Sequence, residues 1–380
     1  MINPFETPER KAFRETLVNF VEKEMRPYAH DWDEAGEVPW EFHEKAGALG
    51  LWGFGVDEKF GGLGFDDAFM RAAAAEEFAK CGAGGVPAAI GGRGISIAPI
   101  EWFATEEIKD RCLADIVAGR KGSSLGITEP GGGSDVARMK TNAKPDGNHW
   151  VINGSKTFIT GGMTSDYFVI GARTGDAGLA GISLFFVEAD TPGFSRTPLK
   201  KKMGWWASDQ ATLYFDDVRV PAENMLGQQD HGFIAIMNNF NLERLGLIAG
   251  CLGMMKVCLE DSIEWAQQRE TFGKPLIKHQ VIRHKIADMS ARIDATEAYM
   301  NMICYQINEG EMPVAEISKA KFFATKNAEF CASEAMQILG GAGYLRGNRV
   351  ENAYREVKVM AIGGGSEEIM RDLAVRQMGL

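Results

Sequence analysis

The chain has 380 residues and carries 41 lysines and arginines against 52 aspartates and glutamates, a formal net charge of −11. Apolar residues make up 45% and charged residues 24%, as in ordinary soluble globular proteins, and the length predicts two or three domains. The acidic balance argues against nucleic-acid binding, and no apolar run approaches the ~18 residues of a membrane-spanning helix. The N-terminus resembles neither a signal nor a transit peptide, so we expect a cytoplasmic bacterial enzyme.

The six cysteines are scattered along the chain. None forms a C-x-x-C pair, and none has metal-ligand spacing to a histidine. Cys251 and Cys258 lie seven residues apart in an apolar helical pattern, which is typical of small core residues. We therefore expect reduced, structural cysteines and no bound metal.

The first third of the chain has the periodicity of helices. Thr7 before Pro8 predicts an N-cap with proline at the first helical position. Further amphipathic runs predict helices over 66–78 and 105–117. This third predicts an N-terminal α-helical domain over residues 1–120.

The middle third changes to short runs of β-branched and aromatic residues. The dipeptide Asn153-Gly154 predicts the turn of a hairpin between strands 149–152 and 155–160. Three further runs predict strands at 167–170, 182–188 and 211–215. This third predicts an antiparallel β domain over residues 121–232.

The last third returns to helical periodicity. The stretch 245–257 is apolar on almost every face, which indicates the centre of a bundle or an interface. This third predicts a C-terminal α-helical bundle over residues 233–380, with helices at 233–268, 280–308, 313–339 and 367–376.

Five glycine-containing segments interrupt these elements. Three consecutive glycines at 131–133 would let backbone N–H groups approach a phosphate, and Ser134 adds a hydroxyl group. The alternative is a plain glycine turn; the segment matches neither a P-loop nor G-x-G-x-x-G. The other four segments, each explained singly as a turn or a helix end, are KTFITGG (156–162), RETFGK (269–274), QILGGAGY (337–344) and IGGGSEEI (362–369).

In this order and across this domain pattern, the five segments resemble the acyl-CoA dehydrogenase family over nearly the whole chain. The resemblance implies a mainly α fold with a central β domain: an N-terminal helical domain, a middle antiparallel β domain and a C-terminal four-helix bundle. It also implies FAD held between subunits of a homotetramer. The implied substrate is an acyl-CoA of fatty-acid or branched-chain catabolism, with electron-transfer flavoprotein as the electron acceptor.

The resemblance implies a flavin site in three parts. The segment 125–134 would line the flavin ring and pyrophosphate, Phe158 would cover the ring, and Thr160 would hydrogen-bond flavin N5. A neighbouring subunit would hold the ADP half. The implied FAD-binding residues are Leu125, Ile127, Thr128, Gly133, Ser134, Phe158, Ile159, Thr160, Arg269, Thr271, Phe272, His279, Gln280, Gln337, Gly340, Gly341, Ser366 and Glu368.

The catalytic base is where this chain departs from much of the family. Gly364 stands where relatives of the medium-chain enzyme carry a catalytic Glu, so that position has no side chain to accept a proton. The long-chain and isovaleryl branches take the base from a helix instead, at the position of Glu243. Phe240 and Leu247 share a helical stripe with Glu243, and partial burial would raise its pKa. Without the resemblance, Glu243 would be interpreted as a partner of an arginine.

The implied reaction is α,β-dehydrogenation of the thioester to the trans-2-enoyl-CoA, with Glu243 taking the α-proton and flavin N5 taking the β-hydrogen as hydride. A backbone N–H near Gly364 or Gly365 would bind the thioester oxygen. Because glycine occupies 363 and 364, we expect a branched or bulky acyl group. The implied substrate-binding residues are Ser134, Asn241, Arg244, Gly363, Gly364 and Gly365.

Two alternatives stay open on the sequence. A flavin acyl-CoA oxidase or monooxygenase would keep the fold and pass electrons to O₂. A non-catalytic acyl-CoA and FAD-binding module would account for the glycine at 364. Replacing Glu243 with Gln separates catalysis from binding.

Overall fold

Helices form the first part of the chain in the computed structural model, which describes residues 3–176 and 178–380. Thr7 caps the first helix, since its Oγ1 accepts a hydrogen bond from the N–H of Arg10 at 3.3 Å, as predicted. The helices of this part are α1 (Pro8–Phe20), α2 (Ala29–Ala35), α3 (Trp40–Ala48), α4 (Ala68–Ala79), α5 (Gly85–Gly94), α6 (Ile97–Phe103) and α7 (Glu106–Val117).

The middle part forms one sheet. Its strands are β1 (Ser123–Gly126), β2 (Asn142–Asp146), β3 (His149–Thr160), β4 (Tyr167–Arg173), β5 (Ile182–Glu188), β6 (Phe194–Pro198), β7 (Gln210–Pro221) and β8 (Met225–Leu226). Their order is β6-β7-β3-β2-β4-β5-β8, with β1 beside β4. The pairings are antiparallel except those of β1 and β2 with β4, which are parallel.

The predicted hairpin turn at Asn153-Gly154 is wrong. Strand β3 runs straight through both residues, and the turn lies at Gly147 (φ +63°), where Asp146 pairs with His149. At Gly154 the φ is +143° and a Cβ would lie 2.6 Å from Thr141 Oγ1, so this glycine permits a close approach of β3 to Thr141.

The C-terminal part is a helical bundle with α8 at its centre. Buried residues of α8 pack against α4, α9, α10 and α11, which explains why the 245–257 stretch is apolar on almost every face. The elements of this part are α8 (Gly232–Gln268), β9 (Glu270–Thr271), β10 (Lys274–Pro275), α9 (Gln280–Asn308), α10 (Val314–Leu339), α11 (Arg349–Ile362) and α12 (Glu367–Gln377).

The two faces of the sheet belong to different hydrophobic cores. Val169 and Phe186 pack with the N-terminal helices, whereas Phe168 and Phe185 pack within the β domain, as the two-residue period of strands requires. All six cysteines are buried and free of disulfides, as expected. Among the described residues, no helix combines the length and apolar character needed to cross a membrane.

Candidate active site

Glu243 lies on α8, near the loop that joins α11 to α12. Its side chain is partly buried, and burial raises the pKa of the carboxyl group to about 7. The positive charges of Arg244 and Lys321 oppose this rise. A carboxyl group with a pKa near neutrality can accept a proton and release it again, which is the requirement for a general base.

The loop of Gly363, Gly364 and Gly365 is held by two cationic side chains. Arg244 Nε donates to the carbonyl of Gly364 at 3.0 Å, and Lys321 Nζ donates to that of Gly365 at 2.6 Å. The φ angles of Gly364 and Gly365 are +65° and +99°, in the region that favours glycine. The loop therefore lies fixed against the helix that carries Glu243.

Asn241 completes this cluster, since its Oδ1 accepts a hydrogen bond from Arg244 Nη1 at 2.9 Å. The structure thus brings together five of the six predicted substrate residues: Asn241, Arg244, Gly363, Gly364 and Gly365. Ser134, the sixth, lies on the exposed loop after β1, and no hydrogen bond in the described chain joins it to this cluster.

The space beside Gly364 is filled by the same helix. A Cβ atom on Gly364 would lie 2.4 Å from Leu247 Cδ1, and Leu247 is one turn after Glu243. Leu247 therefore occupies part of the space that a side chain at 364 would fill. At Gly363 the nearest neighbour of a Cβ is the carbonyl oxygen of Val359, at 3.4 Å, and φ is −69°, so a side chain would fit.

The first predicted flavin segment lies beside strand β3. The N–H of Thr157 donates to the carbonyl of Thr128 at 2.9 Å, and Lys156 forms a buried ion pair with Glu129 at 3.0 Å. The side chains of Leu125, Ile127 and Ile159 are buried in the hydrophobic cores, so these residues can offer a ligand only their backbone atoms. Gly133 and Ser134 are exposed.

Phe158 is the unusual residue of this segment. A β-bulge between Lys156 and Ile159 places an extra residue in β3, and Phe158 has φ +59° with 65% of its surface exposed. Both features cost free energy, and strained backbone of this kind concentrates at ligand sites. Thr160, two residues on, is partly buried and its carbonyl accepts from Ser124 Oγ at 2.8 Å.

Most of the other predicted flavin residues lie at one end of the helical bundle, where α8 and α10 end and α9 begins; Lys285 of α9 and Glu334 of α10 form an ion pair there. Thr271 Oγ1 is 3.1 Å from His279 Nε2, and between them Phe272 (φ +51°) is 97% exposed at the tip of the β9–β10 turn. Arg269 and Gln280 are exposed beside this turn, and Gln337, Gly340 and Gly341 are exposed at the end of α10. No hydrogen bond in the described chain connects these residues to the Phe158 segment.

These surfaces fit a flavin dinucleotide. A Cβ added to Gly131, Gly340 or Gly341 would meet no atom within 4 Å, so a phosphate can approach the backbone closely at these glycines, although the N–H of Gly340 itself donates to the carbonyl of Met336. Phe158 and Phe272 present exposed aromatic rings of the type that packs on a flat heterocycle. Ser366 caps α12, with Oγ accepting from the N–H of Ile369 at 3.4 Å, and Glu368 is exposed in its first turn.

Lys321, Glu129 and the ion pair of Lys156 were not recognised from the sequence. One signal was available for Lys321: it is a lysine inside the apolar helical run Ala320 to Ala324, where a buried cation requires an acceptor. Its acceptor, the carbonyl of Gly365, is 44 residues away and could not be identified from the sequence.

The fold is mainly helical around a β domain, and the site combines a carboxyl group of raised pKa, a glycine loop and exposed aromatic rings, an arrangement that suits a flavin-dependent oxidoreductase. Family models of the acyl-CoA dehydrogenase N-terminal, middle and C-terminal domains match residues 7–120, 124–218 and 230–379. The chain belongs to the acyl-CoA dehydrogenase family, whose members bind FAD.

Relatives support the same assignment over almost the full length. The long-chain specific acyl-CoA dehydrogenase of Rattus norvegicus mitochondria is 36% identical over 97% of this chain and 86% of its own. A putative acyl-CoA dehydrogenase from Mycobacterium smegmatis is 40% identical, with a TM-score of 0.94 over 99% of both chains. A glutaryl-CoA dehydrogenase from the same species, solved with FADH2, is 26% identical, with a TM-score of 0.92 over 98% of this chain and 95% of that one.

Proposed function

We propose that this protein dehydrogenates a branched or bulky acyl-CoA to the trans-2-enoyl-CoA, with Glu243 as the base that takes the α-proton. The observation that carries the proposal is the pairing of Glu243 with a glycine loop at 363–365. The loop residue at 364 has no side chain, so Glu243 is the carboxylate beside the loop that burial has tuned toward neutral pH.

Bound FAD supplies the acceptor for the β-hydrogen, which leaves as hydride. Residues of the chain take the α-proton and bind the thioester. Glu243 holds the α-proton on its carboxylate, while loop N–H groups near Gly364 and Gly365 bind the thioester oxygen and stabilise charge on it. Arg244 keeps the loop in place through the Gly364 carbonyl.

The FAD-binding residues are proposed in two sets. From one subunit we propose the segment 125–134 with Phe158, Ile159 and Thr160, together with Ser366 and Glu368. From a neighbouring subunit of a homotetramer we propose the β9–β10 turn with His279 and Gln280, and the α10 end. The exposed phenyl ring of Phe272 supports this division, because 97% exposure is costly unless another surface covers it.

The space beside Gly363 bears on the substrate class. A Cβ at Gly363 would make only one ordinary contact, with Val359, so an aromatic or branched side chain is missing where one would fit. We propose that a branch or bulky group of the acyl chain occupies this room. Leu247 limits the room on the other side, beside Gly364.

The test is an anaerobic titration of the purified flavoprotein with straight and branched acyl-CoAs, followed in the visible flavin band. Bleaching by branched thioesters at lower concentration than by butyryl- or octanoyl-CoA supports the proposal. A tenfold preference in kcat/KM for the straight chains over isovaleryl- and citronellyl-type substrates would remove the branched assignment. If no thioester bleaches the flavin, the assignment of Glu243 as base fails and a binding module is favoured.

We further propose electron-transfer flavoprotein as the electron acceptor, the cytoplasm as the location, and a division into domains at 1–120, 121–232 and 233–380.

An oxidase on the same fold would differ in its reaction with O₂. Mixing the substrate-reduced enzyme with air-saturated buffer separates the two: reoxidation within seconds favours an oxidase, and a reduced flavin that persists for minutes favours a dehydrogenase.

A further inference from the structure

Lys321 is a buried cation whose position needs an explanation. Its side chain lies wholly inside the bundle on α10, and its hydrogen bond in the described chain goes to the Gly365 carbonyl, at 2.6 Å. An ammonium group has three donors, and burying a charge without full compensation is costly. A methionine of similar length would pack there at lower cost, so stability alone does not account for a lysine.

Lys321 and Arg244 hold two successive peptide groups. In a trans peptide the carbonyl and the following N–H point in opposite directions. Because Arg244 holds the Gly364 carbonyl, the Gly365 N–H points away from Arg244. Because Lys321 holds the Gly365 carbonyl, the Ser366 N–H points away from Lys321. In the described chain, the N–H groups of Gly364, Gly365 and Ser366 donate no hydrogen bond, so they are available to a ligand.

The charged groups around Lys321 come from two neighbouring helices. From α8 these are Glu243, Arg244 and the thiol of Cys251, and from α12 it is Glu367. Burial lowers the pKa of Lys321 to about 8, while the carboxylates keep it from falling further. Its positive charge in turn lowers the pKa of Glu243.

We propose that Lys321 is a positioning residue for the reaction: with Arg244 it fixes the Gly364–Gly365 backbone so that the loop N–H groups meet the thioester oxygen beside Glu243. This inference rests on the proposed dehydrogenation. It assigns to α10 a part in the active site, although Lys321 lies in the bundle interior and contacts neither substrate nor base directly.

The experiment compares K321M with K319M. Lys319 lies on the same helix and pairs with Glu316 at 2.9 Å, away from the loop, so K319M controls for loss of a lysine on α10. In K321M we expect FAD reduction by acyl-CoA to slow by about tenfold to a hundredfold. The acid limb of its kcat/KM profile moves to higher pH, because Glu243 loses a neighbouring positive charge. K319M should leave both quantities unchanged.

A binding measurement separates positioning from general stability. The affinity of K321M for an enoyl-CoA thioester should fall about tenfold, whereas its affinity for a saturated CoA thioether, which lacks the carbonyl oxygen, should stay as in the wild type. If K321M does not retain FAD, K321Q takes its place, since glutamine can still donate to Gly365 but carries no charge. K321Q should then keep thioester affinity and still shift the pH profile.

Equal loss of thioester and thioether affinity, or an unchanged reduction rate and pH profile in a folded K321M, would overturn the inference. These outcomes are distinct from failure of the proposed function. If the wild type is reduced by no acyl-CoA, the dehydrogenation is wrong, and the thioester-to-thioether comparison still decides whether Lys321 positions the loop.

Discussion

At the scale of single residues, Glu243 is the proposed base, and Gly364 has no side chain that could accept a proton. We expect E243Q to lower kcat by about 10³, because a positioned general base contributes ~10²–10⁴ to a proton transfer. FAD content should stay at the wild-type level. Stopped-flow reduction of the flavin measures the rate, and E260Q, on an exposed part of the same helix, is the control.

The pH dependence of the activity follows from the raised pKa of Glu243. With a pKa raised to about 7, the carboxylate that acts as base forms only as pH rises through 7, so kcat/KM should climb across that range and then level. The raised pKa also lowers the free energy of unfolding as pH rises from about 4.5 to 7, because the Glu243 carboxyl group loses its proton more readily in the unfolded chain than in the folded one. E243Q should therefore be no less heat-stable than the wild type at pH 8; a large drop in its melting temperature would contradict a destabilising, raised pKa at Glu243.

Leu247 should control which acyl groups the site accepts. Its Cδ1 occupies the space beside Gly364, so L247A opens room near the carbon atoms next to the base. We expect the kcat/KM ratio of branched to straight substrates to rise about tenfold, since one or two methylenes in an apolar pocket change discrimination by ~10–200-fold. L259A, a partly buried leucine three turns further along α8, is the control. An equal ratio in L247A and L259A would place Leu247 outside the acyl site.

At the scale of elements, the ion pair between Lys156 and Glu129 stabilises strand β3 against the segment that precedes it. Lys156 is fully buried and also donates to the carbonyl of Ile127 at 3.1 Å, while the Glu129 carboxylate accepts from the N–H groups of Lys140 and Thr141. We expect K156M to destabilise the protein by about 3 kcal/mol, because it leaves a buried carboxylate without its cation.

The double variant E129Q/K156M should recover part of that loss, since it removes both charges together. Urea unfolding of the four proteins gives the coupling free energy. FAD affinity should follow stability, because this pair anchors the 127–141 segment to the strand that carries Phe158. Additive losses in the double variant would show that the pair is not coupled.

Sequence patterns located the three longest helices but missed the short helices α2, α3, α5 and α6, and they also failed where the deciding contact was distant. The predicted bounds of helix α9 match the observed ones, because its periodicity is local. Helix α11 was not predicted: its buried stripe, from Val350 to Ala361, is interrupted by charged residues that pair with distant partners, such as Arg355 with Asp33. The Asn153-Gly154 turn failed because Thr141 makes the close contact at Gly154.

The same distinction between local and distant contacts applies to the residues of the candidate site. Glu243 and the glycine segments are local signals, and their resemblance to the family identified them. Lys321 and the Leu247–Gly364 contact depend on which helices meet in the bundle, and no periodicity encodes that.

At the scale of the whole molecule, the exposure of Phe272 supports the proposal that a second chain completes the FAD site. A phenylalanine at φ +51° costs about 1–2 kcal/mol, and a 97% exposed ring adds nothing to the stability of its own chain. Both costs are explained if the β9–β10 turn docks on a second copy and on FAD held between the copies.

We therefore expect F272A to weaken the proposed tetramer and the FAD affinity together, with no large change in the stability of the protomer fold. Sedimentation velocity over a range of protein concentrations measures the assembly, and flavin absorbance after gel filtration measures bound FAD. F65A, at a half-exposed phenylalanine of the N-terminal part, is the matched control. If F272A assembles like the wild type and keeps full FAD at the lowest concentration, the Phe272 ring does not bridge subunits.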